Sequence, residues 1–307
     1  MSGSPALRRV TPHVFRAPLE TPVVTSFGVM RDRPMTLVEI EDGDGAVGWG
    51  EIWCNFPAVG AEHRARLVSS VLAPLLEGRS FASPAEAFAM LGESTAVLAL
   101  QSGEPGPLAQ AIAGVDIALW DLAARRAGQP LWRFLNPQAD PRIGVYASGL
   151  NPTSPERLAA ARAAEGFSAF KLKIGFGRAR DLANLEALRD ALGPGAALMA
   201  DANQAWSLED ARALAPALEP FDLGWLEEPL RADRPWSEWR ELARLCPAPL
   251  AAGENIAGAD AFDEALRQRV LSVVQPDVAK WGGISGCLPV ARAIRVPDHA
   301  VSSSSRP

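Results

Sequence analysis

Lysine is nearly missing from this sequence. Of its 30 basic side chains only Lys171, Lys173 and Lys280 are lysines, and the rest are arginines. Arginine stays charged at any working pH, whereas a partly desolvated lysine can lose its proton. A chain that relies on arginine elsewhere sets two lysines one residue apart in "FKLKIG" (170–175), which raises the question whether they act as bases.

Cysteine is scarce as well. Cys54, Cys246 and Cys287 are odd in number and far apart, so they form neither a disulfide framework nor a zinc site. A reducing, cytoplasmic setting is the expectation. No run approaches the 18 or so apolar residues of a membrane span, and "MSGSPALRRV" lacks the apolar core and cleavage site of a signal peptide. Basic stripes are absent and the net charge is -6, which argues against a nucleic-acid partner. What remains is ordinary globular composition, 48% hydrophobic and 21% charged, over 307 residues. That length accommodates two domains, or one barrel with an added cap.

The first third reads as α+β. "TLVEIEDGDGAVGWGEIW" gives two strand-like runs around an Asp-Gly turn, the signal of a hairpin. Helical patterns follow over 61–77 and 84–98. "AQAIAGVDIALWDLAARRAG" is a further helix closed by Gly128 before Pro130, and its apolar face is expected to pack the two parts of the protein together. From about residue 142 short apolar strands alternate with Ala/Leu/Arg/Glu-rich helices: "RIGVYASG", "FSAFKLKIG", "ALMADAN", "LGWLEEPL", "PLAAGENI" and "SVVQPDVAK". Repeated βα units mean parallel strands with helical crossovers. Lys173, Asp201, Glu227, Glu254 and Asp277 fall at the strand ends, 23 to 28 residues apart. One functional group per unit at the C-terminal strand end is how a barrel builds its site, whereas an open sheet gathers ligands at one switch point. A barrel is the expectation.

Asp201, Glu227 and Glu254 would then converge. Each alone reads equally well as a helix cap or a surface ion-pair partner. Together in an apolar setting they would repel unless a cation held them. Oxygen-only donors suit Mg²⁺, with Mn²⁺ as the substitute. Asn203 and Glu228, beside these acids on an opposite or offset face, are expected to support them. Lys171 and Lys173 share one face of their strand, where each should depress the other's pKa and make a usable base. Lys280 closes the sixth strand and joins the catalytic candidates. Asp277 either orients a histidine base or caps a turn. A cation with a positioned lysine suits removal of the α-proton of a carboxylate, through an enolate.

The series "KLK", "DAN", "WLEEP", "GEN" and "QPDVAKWGG", with "TSFGVMRDRP" and "GWGE" upstream, resembles the mandelate racemase/muconate lactonizing enzyme branch of the enolase superfamily. The resemblance runs from about residue 10 to 290. It implies an α+β capping domain (1–135) over a TIM-type (β/α) barrel (136–307), with Mg²⁺ on Asp201, Glu227 and Glu254. It also implies Lys173 as base, Lys171 as its helper near the substrate carboxylate, and Asp277 paired with a histidine on a seventh strand. The reaction would be racemisation, epimerisation or acid-sugar dehydration of a 2-hydroxy acid or sugar acid. Homo-oligomers are expected, with neither membrane nor nucleic acid as partner. The chain departs from the pattern after "SGCLPVARAIR", where "VPDHAVSSSSRP" stands in place of the last two strands and His299 is the one histidine in range. An incomplete barrel, catalytically impaired and binding metal or another subunit without turnover, is therefore the alternative. His13 and His63 are read as surface or packing residues, and Trp53, Phe56, Phe27 and Trp281 as candidate pocket walls.

Other chemistries fit less well. "GFGRARD" lacks the third glycine of a dinucleotide fingerprint, Arg180 standing in its place. A Schiff-base aldolase would not need three acids at barrel pitch. A Gly-x-Ser-x-Gly elbow is not formed by "GGISGC".

Overall fold

Alternation in "MTLVEIED" puts Val38 and Ile40 on one face and Leu37, Glu39 and Glu41 on the other, the period of a half-buried strand. The computed structural model describes residues 5–25 and 28–294. It builds strands β1 (Leu7–Thr25), β2 (Gly28–Asp42) and β3 (Val47–Ile52) into an antiparallel sheet in that order. Helices α1 (Gly60–Leu67), α2 (Ala73–Leu76), α3 (Pro84–Ser102), α4 (Pro105–Arg126) and α5 (Leu131–Leu135) follow.

Two helix expectations are corrected. The single helix over 61–77 is split by a π-helical turn at Val68–Leu72. Pro74 has no N–H to give the preceding turn, and the ladder widens there, Ala73 N–H bonding to Val68 C=O. The helix over 84–98 runs on to Ser102, where Gly103 ends it at φ 67°.

Helix α4 lies on β3 at a distance only glycine permits. A Cβ on Gly50 would stand 2.0 Å from the Gly114 carbonyl oxygen, and one on Gly48 2.3 Å from that of Ala118. By length and composition α4 could cross a bilayer. Here its apolar residues, among them Ile112, Val115, Ala118 and Leu122, are buried in the cap's core.

The second half runs β4 (Ala147–Leu150), α6 (Pro155–Ala164), β5 (Ala169–Lys173), α7 (Arg178–Leu192), β6 (Ala197–Asp201), α8 (Leu208–Leu214), β7 (Leu223–Glu227), α9 (Trp236–Leu245), β8 (Leu250–Ala252), α10 (Ala259–Gln268), β9 (Val273–Val274) and α11 (Gly283–Ile294). The six strands form one parallel sheet in chain order. A doubly wound sheet reverses its order at a switch point, and this one does not. Sequential order is that of a barrel wall. Phe170, Leu172, Leu198, Leu226, Trp239 and Leu250 are buried in its core.

The strand expected over "RIGVYASG" begins only at Ala147, and Ile143 and Val145 upstream are 87% and 66% exposed. Among the described residues β4 pairs with β5 alone, so residues before it have no second ladder there to join. The tail at 295–307, on which the expectation of absent strands rests, lies outside the described residues, as do His299 and Phe27.

Helix α4 does join the two halves, as its pattern leads one to expect. Asp116 accepts hydrogen bonds from the Ser285 amide (2.9 Å) and hydroxyl (2.5 Å), and Trp120 Nε1 donates to the same hydroxyl at 2.9 Å.

Candidate active site

Register places three of the candidate residues in one row. Lys173 on β5 is the partner of Asp201 on β6, which is the partner of Glu227 on β7. Neighbouring strands lie about 4.8 Å apart, so three strand-end side chains in register meet. Asp201 and Glu227 are buried, 1% and 3% exposed. Lys171 Nζ donates to both Glu227 oxygens (2.7 and 2.8 Å) and lies 3.4 Å from Asp201 Oδ2. Lys173 Nζ donates to the same Asp201 oxygen, and the Asn203 amide donates to the other at 2.9 Å. Both lysines therefore point to one face, as their spacing requires.

The charge state of Lys171 is not the one expected. Burial alone would push Lys171 down, but Glu227 and Asp201 outweigh it and hold the ammonium above its ordinary pKa. Two neighbouring lysines should discharge each other, yet Lys171 faces two carboxylates, and at that residue the attraction wins. Burial raises Asp201, and Lys173 with Lys171 more than reverse it, leaving the carboxyl low. Glu227 is pushed up by burial and by the charge of Asp201, with Lys171 offsetting only part.

Glu254 stands apart. The row continues from Glu227 to Ala251, and β8 ends at Ala252, so Glu254 lies in the loop beyond it. Its Oε1 is met by Lys280 Nζ and by Asn255 Nδ2, each at 3.2 Å. Among the described residues no three carboxylate, imidazole or thiol donors are gathered closely enough to hold one ion. The structure pairs Asp201 with Glu227 and sets Glu254 in the loop past β8; Lys171 meets both acids of the pair, Lys173 meets Asp201 and Lys280 meets Glu254. Glu228, 1% exposed, takes both Asn255 Nδ2 contacts (2.9 and 2.8 Å). Burial and then the charge of Glu254 push Glu228 up to about 7. Asp277 lies three residues past β9 and accepts from the amides of Ala279 (2.8 Å) and Lys280 (3.2 Å). It caps the turn that presents Lys280.

Several contributors are not evident from sequence. Gln275 Nε2 and Trp225 Nε1 donate to Glu227 Oε2 at 2.9 and 3.1 Å. The ring of Tyr146 lies 5.4 Å from Lys171 Nζ and edge-on to Trp225. Gln275, Trp225 and Asn255 stand inside the motifs "QPD", "WLEEP" and "GEN", where the neighbouring acids are the stronger signal. Of the expected pocket walls, Trp53 reaches the site, its ring 5.0 Å from Lys280 Nζ. Trp281 lies tilted against Phe262 and beside Gly286.

The donors nonetheless fit a hard divalent cation. All are carboxylate oxygens, two of them buried where an uncompensated negative charge is costly.

Known proteins share this architecture. The mandelate racemase/muconate lactonizing enzyme N-terminal domain matches residues 9–136, and the enolase C-terminal domain-like family matches 155–305. The chain belongs to the mandelate racemase/muconate lactonizing enzyme family of the enolase superfamily. It is 35% identical over 283 residues to 3,6-anhydro-alpha-L-galactonate cycloisomerase of Streptomyces coelicolor, covering 90% of this chain and 76% of the relative. A mandelate racemase/muconate lactonizing enzyme from Bordetella bronchiseptica is 63% identical with a TM-score of 0.89, over 95% of this chain and 77% of that one. A racemase from Streptomyces coelicolor, solved with bound magnesium, is 34% identical with a TM-score of 0.85, over 94% and 80%.

Proposed function

We propose that the protein is a Mg²⁺-dependent enzyme that removes the α-proton of a small carboxylate, a 2-hydroxy acid or sugar acid, to give an enolate. The observation that carries this reading is the buried row of Lys173, Asp201 and Glu227, with Lys171 bridging the two acids. Asp201, Glu227 and Glu254 would hold the metal. When bound, Mg²⁺ supplies positive charge against the second negative charge of an enolate. Lys173, at the strand end, takes the α-proton onto Nζ as the neutral amine, after its contact with Asp201 is released and its own proton has passed to solvent. Lys171, which two acids keep protonated despite burial, orients the substrate carboxylate. Tyr146 and Trp225 wall this side and limit water. Protonation of the enolate by a second acid on its opposite face gives racemisation or epimerisation, and loss of a β-hydroxyl gives dehydration. The magnesium-bound racemase and the cycloisomerase among the relatives support the class of reaction.

Two measurements test it together. Thermal unfolding should shift upward in millimolar Mg²⁺, and Asp201→Asn should abolish the shift. Racemic 2-hydroxy acids and sugar acids incubated in D₂O should exchange the α-proton only with Mg²⁺ present. A metal-induced shift without exchange across the panel would favour a chain that binds metal without turnover. Absence of both effects would overturn the enzyme reading.

A further inference from the structure

The loop at 53–59 leaves β3 and enters α1, and its two ends are tied to different parts of the molecule. At the far end Arg16 on β1 donates to the Ala58 carbonyl (2.5 Å) and to both Glu62 oxygens (2.9 and 2.7 Å), and it also meets Asp32 at 2.9 Å. The Phe56 ring lies against Gly28, 3.4 Å from where a Cβ would stand. At the near end the tie is to the barrel. Lys280 Nζ sits 5.0 Å from the centre of the Trp53 ring, while donating to Asn255 Oδ1 at 2.9 Å and to Glu254 Oε1 at 3.2 Å. Asn255 then presents its NH₂ to Glu228. One ammonium thus joins a cap indole to a carboxylate of the site.

We infer that Trp53 is a positioning residue for Glu254, acting through Lys280; this rests on the reading of Glu254 as a metal ligand. An aromatic face attracts an ammonium without neutralising it. The indole holds Nζ toward the cap, so the charge is shared between Asn255 and Glu254. The longer contact to Glu254 follows from that sharing. Without the ring, the pull from the cap side is lost and the ammonium collapses onto Glu254, where it competes with a metal ion for the same oxygen. The placement of the cap loop, fixed at its other end by Arg16, is thereby coupled to metal affinity.

The test is a double-substitution cycle read by calorimetric titration of Mg²⁺ into substrate-free protein. Trp53→Leu should raise the Mg²⁺ dissociation constant about fivefold, the order of a cation–π contact. Trp53→Phe, which keeps a ring face, should recover most of that. In a Lys280→Met background Trp53→Leu should change nothing further, because no ammonium remains to compete. Hydrogen exchange of the 53–59 amides should speed up in Lys280→Met without metal, a readout independent of ion binding. The inference is overturned if Trp53→Leu binds Mg²⁺ as the wild type does, if its effect persists undiminished without Lys280, or if loop exchange is unchanged. A wild-type protein that takes up no Mg²⁺ would overturn the proposed function, and this coupling with it. Wild-type uptake with additive substitutions would sink the coupling alone.

Discussion

Asp116 in the middle of α4 and Ser285 at the start of α11 form a polar seam between cap and barrel. Both oxygens of a fully buried carboxylate accept from one serine, through its hydroxyl at 2.5 Å and its amide at 2.9 Å. Gly283 beside it has φ 52°, and a Cβ there would stand 2.4 Å from Asp116 Oδ2. Cap and barrel therefore meet on a buried acid held by a serine rather than by a counter-charge.

That arrangement has a pH signature. Burial pushes Asp116 up to about 6, against which the bonds from Ser285 and Ile284 are insufficient. The native state thus binds this proton more tightly than the unfolded chain does. Stability from this group is greatest below the unfolded carboxylate pKa near 4 and is lost as pH rises through about 6. The loss is on the order of 3 kcal/mol. Comparing urea unfolding of wild type and Asp116→Asn between about pH 4.5 and 7.5 isolates it. The wild type should lose stability relative to the variant as pH rises. A pH-independent difference would show that the seam tolerates the charge.

Lys171 predicts a metal-dependent stability. Its ammonium contacts Glu227 at 2.7 Å and lies 3.4 Å from Asp201, both acids being buried. Removing one partner of a buried ion pair typically costs about 3–5 kcal/mol, because the other charge is stranded. Lys171→Met should be destabilised by that order in EDTA. Millimolar Mg²⁺ should restore much of the loss, since a cation on the same oxygens replaces the missing charge. Equal destabilisation with and without Mg²⁺ would mean the ion does not reach Asp201 and Glu227.

The seating of α4 on β3 gives a packing prediction with its own control. Alanine at Gly50 would place a methyl 2.0 Å from a backbone oxygen of α4, so the helix must move. Overpacking costs about 1–3 kcal/mol and more where backbone is displaced, and Gly50→Ala belongs at the upper end. At Gly92 inside α3 a methyl would meet nothing within 4 Å. There alanine should stabilise by up to about 1 kcal/mol through helix propensity. Denaturant midpoints moving in the same direction for both would contradict the close-approach account.

How much of this is legible in the sequence depends on which force sets each feature. Lys173, Asp201 and Glu227 are readable because the βα repeat fixes one strand end per unit, and parallel pairing then brings those ends into register. Glu254 and Asp277 follow the same repeat but lie past their strands, where loop geometry decides, and their partners Asn255 and Lys280 cannot be read from spacing. The charge state of Lys171 escapes the sequence, which shows two cations close together and not which acid each one faces. The break in the 61–77 helix is signalled by Pro74, whose missing N–H a pattern of apolar spacing ignores. The glycines of "GWGE" fit a hairpin equally well without the helix that requires them.

Lys173 carries the sharpest chemical prediction. Of the two lysines it is the one at the strand end, and its carboxylate partner is Asp201, whereas Lys171 is clasped by Glu227 and lies near Asp201 as well. If it takes the α-proton, Lys173→Met should lower metal-dependent exchange by about 10²–10⁴-fold, the usual contribution of a positioned base. Mg²⁺ affinity should not weaken in that variant, because an ammonium that competes for Asp201 has gone. Lys173→Arg makes the argument stricter. A guanidinium keeps the charge and the pairing with Asp201 but stays protonated at any working pH. It should therefore be as inactive as methionine while restoring the wild-type response to metal. Exchange in Lys173→Arg within about tenfold of wild type, short of what loss of a base costs, would assign the proton to another group and leave Lys173 as a counter-charge for Asp201.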